Sequence, residues 1–239
     1  MSYVVLENVS VKFPIYESQA STSMLRKMMG LSGPRKEFYA LDSLSLQILK
    51  GERVGLLGKN GSGKSTLLRL MAGILPPTSG KLKVVGRVFP ALSAAPGIQS
   101  QATCLQNIIL QGLSYGLKSD DLMKYVNEVS VFSGLGDFLN SPHSALSAGM
   151  KGRFAVATLN YVQPELLFMD EWIGAADTKV LKKNQGLLAK LVDQSDIFVM
   201  ASHRRDIIEE HCNKAIVMDE GKMVFFGDVE SAYRALNEI

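Results

Sequence analysis

The residues best suited to chemistry in this 239-residue chain form a glycine-rich loop that ends in a lysine and a serine. Gly58, Gly63, Lys64 and Ser65 match the spacing G-x-x-x-x-G-K-[ST]. Glycines let the backbone curl until successive N–H groups converge on phosphate oxygens. Lys64 then supplies a positive charge for the outer phosphates, and the Ser65 hydroxyl is an oxygen ligand for Mg²⁺. The spacing predicts a site for a nucleoside triphosphate. The predicted phosphate-binding residues are Gly58, Lys59, Asn60, Gly61, Ser62, Gly63, Lys64, Ser65 and Thr66.

The elements around this loop support the prediction. Arg53–Leu57 is a short apolar run typical of a buried strand. Ser65–Ala72 is rich in helix formers and is followed by Gly73, so it predicts a helix that begins in the loop. The N-terminus of such a helix directs its dipole and unpaired N–H groups at bound phosphates. An incidental lysine in a glycine-rich turn would not require either element.

Further polar residues follow two apolar runs later in the chain. Leu166–Met169 leads into Asp170 and Glu171, and Ile197–Ala201 leads towards His203. Ligands of an open α/β sheet lie at the carboxyl ends of its strands. We therefore expect Asp170 to hold Mg²⁺ through water, Glu171 to act as general base on the attacking water, and His203 to contact the γ-phosphate. A single histidine is more often a core residue, so the prediction for His203 depends on the other motif residues that precede it in the chain.

Ser147–Gly149 combines a serine with small residues at a predicted helix start, shortly before the acidic strand. A helix N-terminus of this kind offers a second, dipole-assisted anion site. An ordinary N-cap is the alternative interpretation of the segment by itself.

The remaining chain alternates predicted strands with predicted helices. The other strands are expected at Tyr3–Phe13, Phe38–Ile48, Lys81–Val88, Lys214–Asp219 and Lys222–Phe226. The other helices are expected from Thr103, Ser119, Lys179, Ile207 and Val229. A loop is expected over Pro90–Ala102, and an insertion over residues 15–36. The pattern predicts one α/β domain over residues 1–239, with a mostly parallel sheet, an N-terminal antiparallel β portion and a helical subdomain over roughly residues 103–160.

The composition limits the classes of function. The net charge of +3 is too small to indicate a nucleic-acid partner. Cys104 and Cys212 lack metal-ligand spacing and are expected to be reduced packing residues. No apolar run reaches the roughly 18 residues that span a bilayer, and the first residues do not resemble a signal peptide. Any step across a membrane is therefore expected to need another chain.

In this order, the motifs resemble the ATP-binding cassette of ABC transporters over nearly the whole chain. The resemblance implies ATP and Mg²⁺ as cofactors and a homodimer that sandwiches the nucleotide. Gly58–Thr66, Asp170, Glu171 and His203 of one copy would face Ser147–Gly149 of the other.

The resemblance also assigns roles to two less regular segments. Gly174–Asp177 is similar to the family's dimer-contact loop. Phe13 best matches the aromatic residue that stacks on the base, with Tyr16 as the alternative. The family's Leu-Ser-Gly-Gly-Gln has Ala148 in place of its first glycine and Met150 in place of its glutamine. The glutamine that normally opens the loop before the helical region has no assigned counterpart.

One branch of the family, the ATPases that export lipid-linked polysaccharide such as O-antigen, capsule or teichoic acid, is the most similar. The shared features are the early insertion after Phe13, the Gly86–Val88 stretch and the Ser-x-Gly-Met signature. This branch implies a separate integral-membrane permease, a lipid-linked glycan as substrate, and a peripheral position on the cytoplasmic face of the bacterial inner membrane. An importer or drug-efflux cassette is the main alternative. A soluble ABC-type ATPase of DNA repair is less favoured, because neither a coiled-coil insertion nor a basic groove is evident.

Overall fold

The computed structural model describes residues 1–15, 37–92, 97–159, 163–170 and 188–239, and their strands form two sheets. The strands are β1 (Tyr3–Pro14), β2 (Glu37–Leu49), β3 (Arg53–Leu57), β4 (Ser79–Val85), β5 (Val88–Ala91), β6 (Leu166–Asp170), β7 (Ile197–Ala201), β8 (Lys214–Asp219) and β9 (Lys222–Gly227). The first sheet has the order β2-β1-β4 and is antiparallel. The second has the order β5-β6-β7-β3-β8-β9 and is parallel except for the β8–β9 pair. The predicted α/β class, with its parallel and antiparallel portions, is confirmed.

The helices that lie wholly within these ranges flank the sheets or form a separate group. They are α1 (Lys64–Met71), α2 (Cys104–Ser114), α3 (Ser119–Ser133), α4 (Ala148–Leu159), α5 (Arg205–His211) and α6 (Val229–Asn237). Residues 188–194 are also helical, while the rest of the helix expected from Lys179 lies outside the described residues. Two 3₁₀ turns, Gly136–Asn140 and His143–Ala145, lead into α4. Within the described ranges, no helix has both the length and the apolar character needed to cross a membrane.

The central strands of the parallel sheet are buried on both faces. β3 lies between β7 and β8, and its residues Val54–Leu57 are buried. β6 and β7 are similarly apolar along nearly their whole length, as expected for strands covered by helices on both sides. Because these strands are parallel, the segments that follow β3, β6 and β7 all emerge at one edge. That edge carries the phosphate-loop motif, Asp170 and His203.

The expected strand over Lys81–Val88 and loop over Pro90–Ala102 were partly wrong. Gly86, with a φ of 122°, separates β4 in the antiparallel sheet from β5 in the parallel sheet. A Cβ on Gly86 would lie 2.2 Å from Leu166 Cδ1, so the chain can pass close to β6 only without a side chain. Pro90 therefore belongs to the edge strand β5. Proline is tolerated in an edge strand because the side of the strand that faces away from the sheet needs no N–H donor.

The helices α2, α3 and α4 enclose an apolar cluster separate from the sheets. Its buried members include Cys104, Ile108, Val129 and Phe154. Thr103 begins α2 with a capping box: its side chain accepts a hydrogen bond from the Gln106 N–H at 3.1 Å, and the Gln106 side chain accepts one from the Thr103 N–H at 2.9 Å.

His143 belongs to the edge of this cluster. It is 7% exposed, and its ring centroid lies 5.5 Å from that of Phe154. Its backbone N–H donates to the carbonyl oxygen of Ala102 at 3.0 Å, but among the described residues its Nε2 has no hydrogen-bond partner. Burial, and then the charge of Lys151, lower the pKa of His143 below its usual 6.5. The folded chain therefore favours the neutral imidazole.

This burial predicts a loss of stability on acidification. As the pH falls through 6.5, the unfolded chain takes up a proton at His143 that the folded chain resists, so the free energy of unfolding decreases. Urea unfolding at pH 7.5 and 5.5 should show a larger decrease in the wild type than in His143→Gln. Equal decreases in the two proteins would contradict the assignment.

Candidate functional site

The phosphate loop joins the end of β3 to the start of α1 through three glycines with positive φ. The φ values are 143° at Gly58, 83° at Gly61 and 105° at Gly63. A Cβ on Gly58 would lie 2.2 Å from the Met218 carbonyl oxygen, and one on Gly63 would lie 2.7 Å from that of Ala40. Neither approach is possible with a side chain, so the motif's first and last glycines are required by packing as well as by conformation.

Hydrogen bonds fix the same loop to the turn between β8 and β9. The N–H of Gly221 donates to the carbonyl oxygen of Ser62 at 3.1 Å, and the N–H of Asp42 donates to that of Gly221 at 2.8 Å. The loop is therefore linked to β2 of the antiparallel sheet through a turn of the parallel sheet. Contacts within the chain thus fix the shape of the loop.

Lys64 lies at the start of α1, and most of its surface is buried. Its Nζ donates to the carbonyl oxygens of Gly58 at 2.7 Å and Lys59 at 2.9 Å. The ammonium group is thus positioned across the loop. No acidic side chain occupies the first turn of α1, so the positive end of the helix dipole remains available for an anion.

A cavity of about 650 Å³ brings most of the predicted site residues together. It is lined by Phe13, Phe38, Ala40, Asn60, Gly61, Gly63, Lys64, Ser65, Thr66, Leu92, Asp170, Ala201, Ser202 and His203. Asp170 pairs with Ala201 across β6 and β7, which places the acidic residue and the segment of His203 side by side. The Ser65 hydroxyl and the Asp170 carboxylate are oxygen donors of the kind that Mg²⁺ prefers, so these residues fit the expected metal.

Several predicted residues cannot be placed in this cavity from the structure. Glu171, Tyr16 and Gly174–Asp177 lie outside the described residues, as does nearly all of the insertion at 15–36. Phe13, the other candidate for base stacking, does line the cavity. Phe13 is therefore placed beside the phosphate loop, while the choice between Phe13 and Tyr16 stays open.

Ser147–Gly149 does not line the cavity. All three residues are exposed at the start of α4. The Ser147 hydroxyl accepts a hydrogen bond from the Met150 N–H at 3.3 Å, as an N-capping serine does. A Cβ on Gly149 would meet no atom within 4 Å, so nothing described in the same chain requires a glycine there. These residues therefore form an exposed helix start, and its role as a second anion site stays a prediction.

Five residues that line the cavity were missed by the sequence-based prediction: Phe38, Ala40, Leu92, Ala201 and Ser202. Phe38 is the most informative, because it lies directly opposite Phe13 in the β1–β2 pair. The sequence does show an aromatic residue at the start of this strand, which could have marked Phe38 as a candidate for base stacking. Its partner could not be identified, because the insertion separates the two strands and conceals their register.

A phosphate loop between a central strand and a helix, with an acidic residue at the end of β6 in the same parallel sheet, defines a P-loop nucleoside triphosphate-binding protein. The family model described as ABC transporter matches residues 41–174. The chain belongs to the ABC transporter family, as its ATP-binding part.

Curated relatives extend the match over most of the chain. The O-antigen export system ATP-binding protein RfbE of Yersinia enterocolitica is 34% identical over 229 residues, covering 92% of this chain and 96% of the relative. RfbB of Myxococcus xanthus, with the same description, is 35% identical over 201 residues, covering 82% and 45%. The teichoic acids export ATP-binding protein TagH of Levilactobacillus brevis is 30% identical over 236 residues, covering 98% and 64%. The chain thus spans less than two thirds of the last two relatives.

Solved structures share the fold. A dimeric ATP-binding cassette in a post-hydrolysis state, bound to ADP and Pi, superposes with a TM-score of 0.69 at 22% identity, covering 95% of this chain and 98% of that one. The protein cbiO1 from Clostridium perfringens, part of the ABC transporter complex cbiONQ, gives 0.65 at 23% identity, with coverage of 98% and 92%. These similarities confirm the predicted fold.

The position of Lys64 predicts that its side chain is essential for nucleotide binding. Lys64→Ala removes charge-assisted hydrogen bonds that are each worth about 1.5–3 kcal/mol, so ATP affinity should fall by at least about tenfold. Isothermal titration calorimetry measures this directly. Lys81→Ala, which changes an exposed lysine of β4, is the matched control and should bind ATP like the wild type. Retention of normal affinity in Lys64→Ala would contradict the site.

Proposed function

We propose that this chain is the ATP-hydrolysing subunit of an ABC exporter that moves a lipid-linked polysaccharide, such as O-antigen, capsule or teichoic acid, through a separate permease. The observation that carries the ATPase part is the cavity that joins Lys64, Ser65, Asp170 and His203. The exporter part is supported by relatives described as ATP-binding proteins of O-antigen and teichoic acid export systems.

The residues of the cavity are assigned to the phosphates, the metal and the base of the bound nucleotide. The loop N–H groups and Lys64 bind the phosphates, and Ser65 and Asp170 hold Mg²⁺. When bound, Mg²⁺ neutralises charge on the phosphate oxygens. Glu171, next to Asp170 in the chain, accepts a proton from the attacking water, and His203 contacts the γ-phosphate. Phe13 packs on the base.

The site is proposed to be completed by a second copy of the chain. Ser147–Gly149 presents an exposed, capped helix start that does not reach the cavity of its own chain. In a homodimer, this helix start faces the γ-phosphate bound by the partner. ATP binding then closes the dimer and drives the permease, and hydrolysis reopens it. In this arrangement the missing side chain of Gly149 leaves room for the partner's phosphate, whereas packing within one chain does not require a glycine there.

The domain organisation follows the same scheme. We propose that residues 1–239 form a single ABC ATPase domain, with a helical subdomain over roughly residues 103–160 that carries the exposed helix start. The separate apolar cluster of α2, α3 and α4 supports this division. The chain is proposed to lie on the cytoplasmic face of the bacterial inner membrane through its permease, with no nucleic-acid partner.

The role of Gly149 can be separated from folding by a matched pair of substitutions. Gly149→Ala fits the space available and replaces a helical glycine, so the isolated chain should be as stable as the wild type or more stable. Its ATP hydrolysis should nevertheless fall by about tenfold or more, because the added methyl group obstructs the approach of the partner's phosphate.

Gly152→Ala is the control, because Gly152 lies one turn further along α4 and an added Cβ would likewise meet no atom within 4 Å. This variant should keep normal hydrolysis. Equal hydrolysis in both variants, measured by phosphate release, would argue against a phosphate-facing role for Gly149.

Transport itself is tested by reconstitution. Proteoliposomes that contain this chain and its proposed partner permease should move a lipid-linked glycan across the bilayer when ATP is supplied. The Lys64→Ala chain with the same permease should move none. ATP-driven movement of a small solute, with no movement of the glycan, would instead favour an importer or drug-efflux cassette.

A further inference from the structure

Two phenylalanines lie side by side at the end of the β1–β2 pair, on the wall of the nucleotide cavity. Phe13 and Phe38 are direct partners in the antiparallel register, so their side chains share one face of the strands. Both line the cavity that contains Lys64 and Asp170. Phe13 is 41% exposed and Phe38 is 51% exposed. The pair therefore presents an uncovered aromatic surface towards the phosphate loop.

A cluster on the opposite face of the strands holds this end of the pair together. Lys12 pairs with Tyr39 in the register, and its Nζ lies 4.6 Å from the centre of the Tyr39 ring. The same Nζ forms an ion pair with Glu37 at 2.9 Å. Hydrogen bonds with Tyr39 and then Glu37 raise the pKa of Lys12 to about 12. Lys12 is therefore charged throughout the neutral range.

A register shift gives the two phenylalanines their direction. The pairing passes from Val11 with Leu41 to Lys12 with Tyr39, so Ala40 is an extra residue of β2. An extra residue of this kind bends a strand and re-aims the side chains beyond it. Ala40 and Phe38, two residues apart, both line the cavity, whereas Tyr39 does not.

A purine has two fused rings and a flat face larger than one phenyl ring. Aromatic side chains stack on such faces, and the burial of apolar surface between the two rings stabilises the bound base. The strand pair contributes Phe13, Phe38 and Ala40 to the cavity, which offer apolar surface and no side-chain hydrogen-bonding group. This end of the cavity is thus suited to the face of a base.

We propose that Phe38 is a second base-stacking residue, and that the nucleobase lies across the rings of both Phe13 and Phe38. The inference rests on the proposed function as an ATPase and adds a determinant of nucleotide affinity to the same site. Because stacking involves the face of the base, Phe38 supports adenine and guanine nucleotides alike. It contributes nothing to the binding of the phosphates themselves.

The test compares ligands with and without a base. Titration calorimetry on the full chain measures the Kd of ATP, GTP and inorganic tripolyphosphate, each with Mg²⁺. Phe38→Ala should weaken ATP and GTP by about tenfold and leave tripolyphosphate unchanged. Phe38→Trp should restore ATP binding. Phe138→Ala removes a phenyl ring that is 52% exposed outside the cavity, and should bind all three ligands like the wild type.

The double variant Phe13→Ala/Phe38→Ala distinguishes direct stacking from an effect through Phe13. If the base contacts both rings, the double variant binds ATP more weakly than Phe13→Ala. If Phe38 only orients Phe13, the two proteins bind ATP equally, and the proposal is wrong. Loss of tripolyphosphate binding in Phe38→Ala would also overturn it, because the substitution would then have disturbed the phosphate loop.

Two results separate the role of Phe38 from the existence of the nucleotide site. Wild-type ATP affinity in Phe38→Ala, with binding lost in Lys64→Ala, would refute only the role of Phe38. Absence of ATP binding in the wild-type chain would refute the nucleotide site as a whole.

Discussion

The close approach of two glycines to backbone carbonyl groups is the constraint on which the site depends. Gly58 packs against the carbonyl of Met218 in β8, and Gly63 against that of Ala40 in β2. No side chain fits at either contact. Since β2 and β8 belong to different sheets, the phosphate loop packs against both sheets at these two glycines. The turn at Gly221, bonded to both the loop and Asp42, completes this junction.

This junction also relates the two ends of the proposed nucleotide site. Ala40 limits the space beside Gly63, and two residues before it β2 carries Phe38. A single strand therefore shapes the phosphate loop and positions the aromatic surface proposed for the base. On the other side of the loop, the parallel register of β6 and β7 places Asp170 beside the segment of His203. The separate chain segments converge because the ends of parallel strands meet at one edge.

The features that could be predicted from sequence are local ones. The phosphate loop, the buried strand before it and the acidic strand each have a pattern within about ten residues, because their chemistry needs a fixed spacing. The features that were missed depend on contacts distant in sequence. Phe38 becomes part of the cavity only through its register with Phe13 across the insertion. Likewise, the division of one expected strand into β4 and β5 follows from the passage of Gly86 against Leu166.

The exposed start of α4 is the feature that motivates the proposed second copy of the chain. Its Ser147 cap is formed, yet the helix start does not contribute to the cavity of its own chain. We therefore propose that ATP joins two copies of the chain through this surface. Light scattering of Glu171→Gln, with the chain mass of 26.1 kDa as reference, tests it most directly. A homodimer that sandwiches ATP should have twice that mass with ATP and the single-chain mass without it, whereas a single-chain mass at saturating bound ATP would rule this homodimer out.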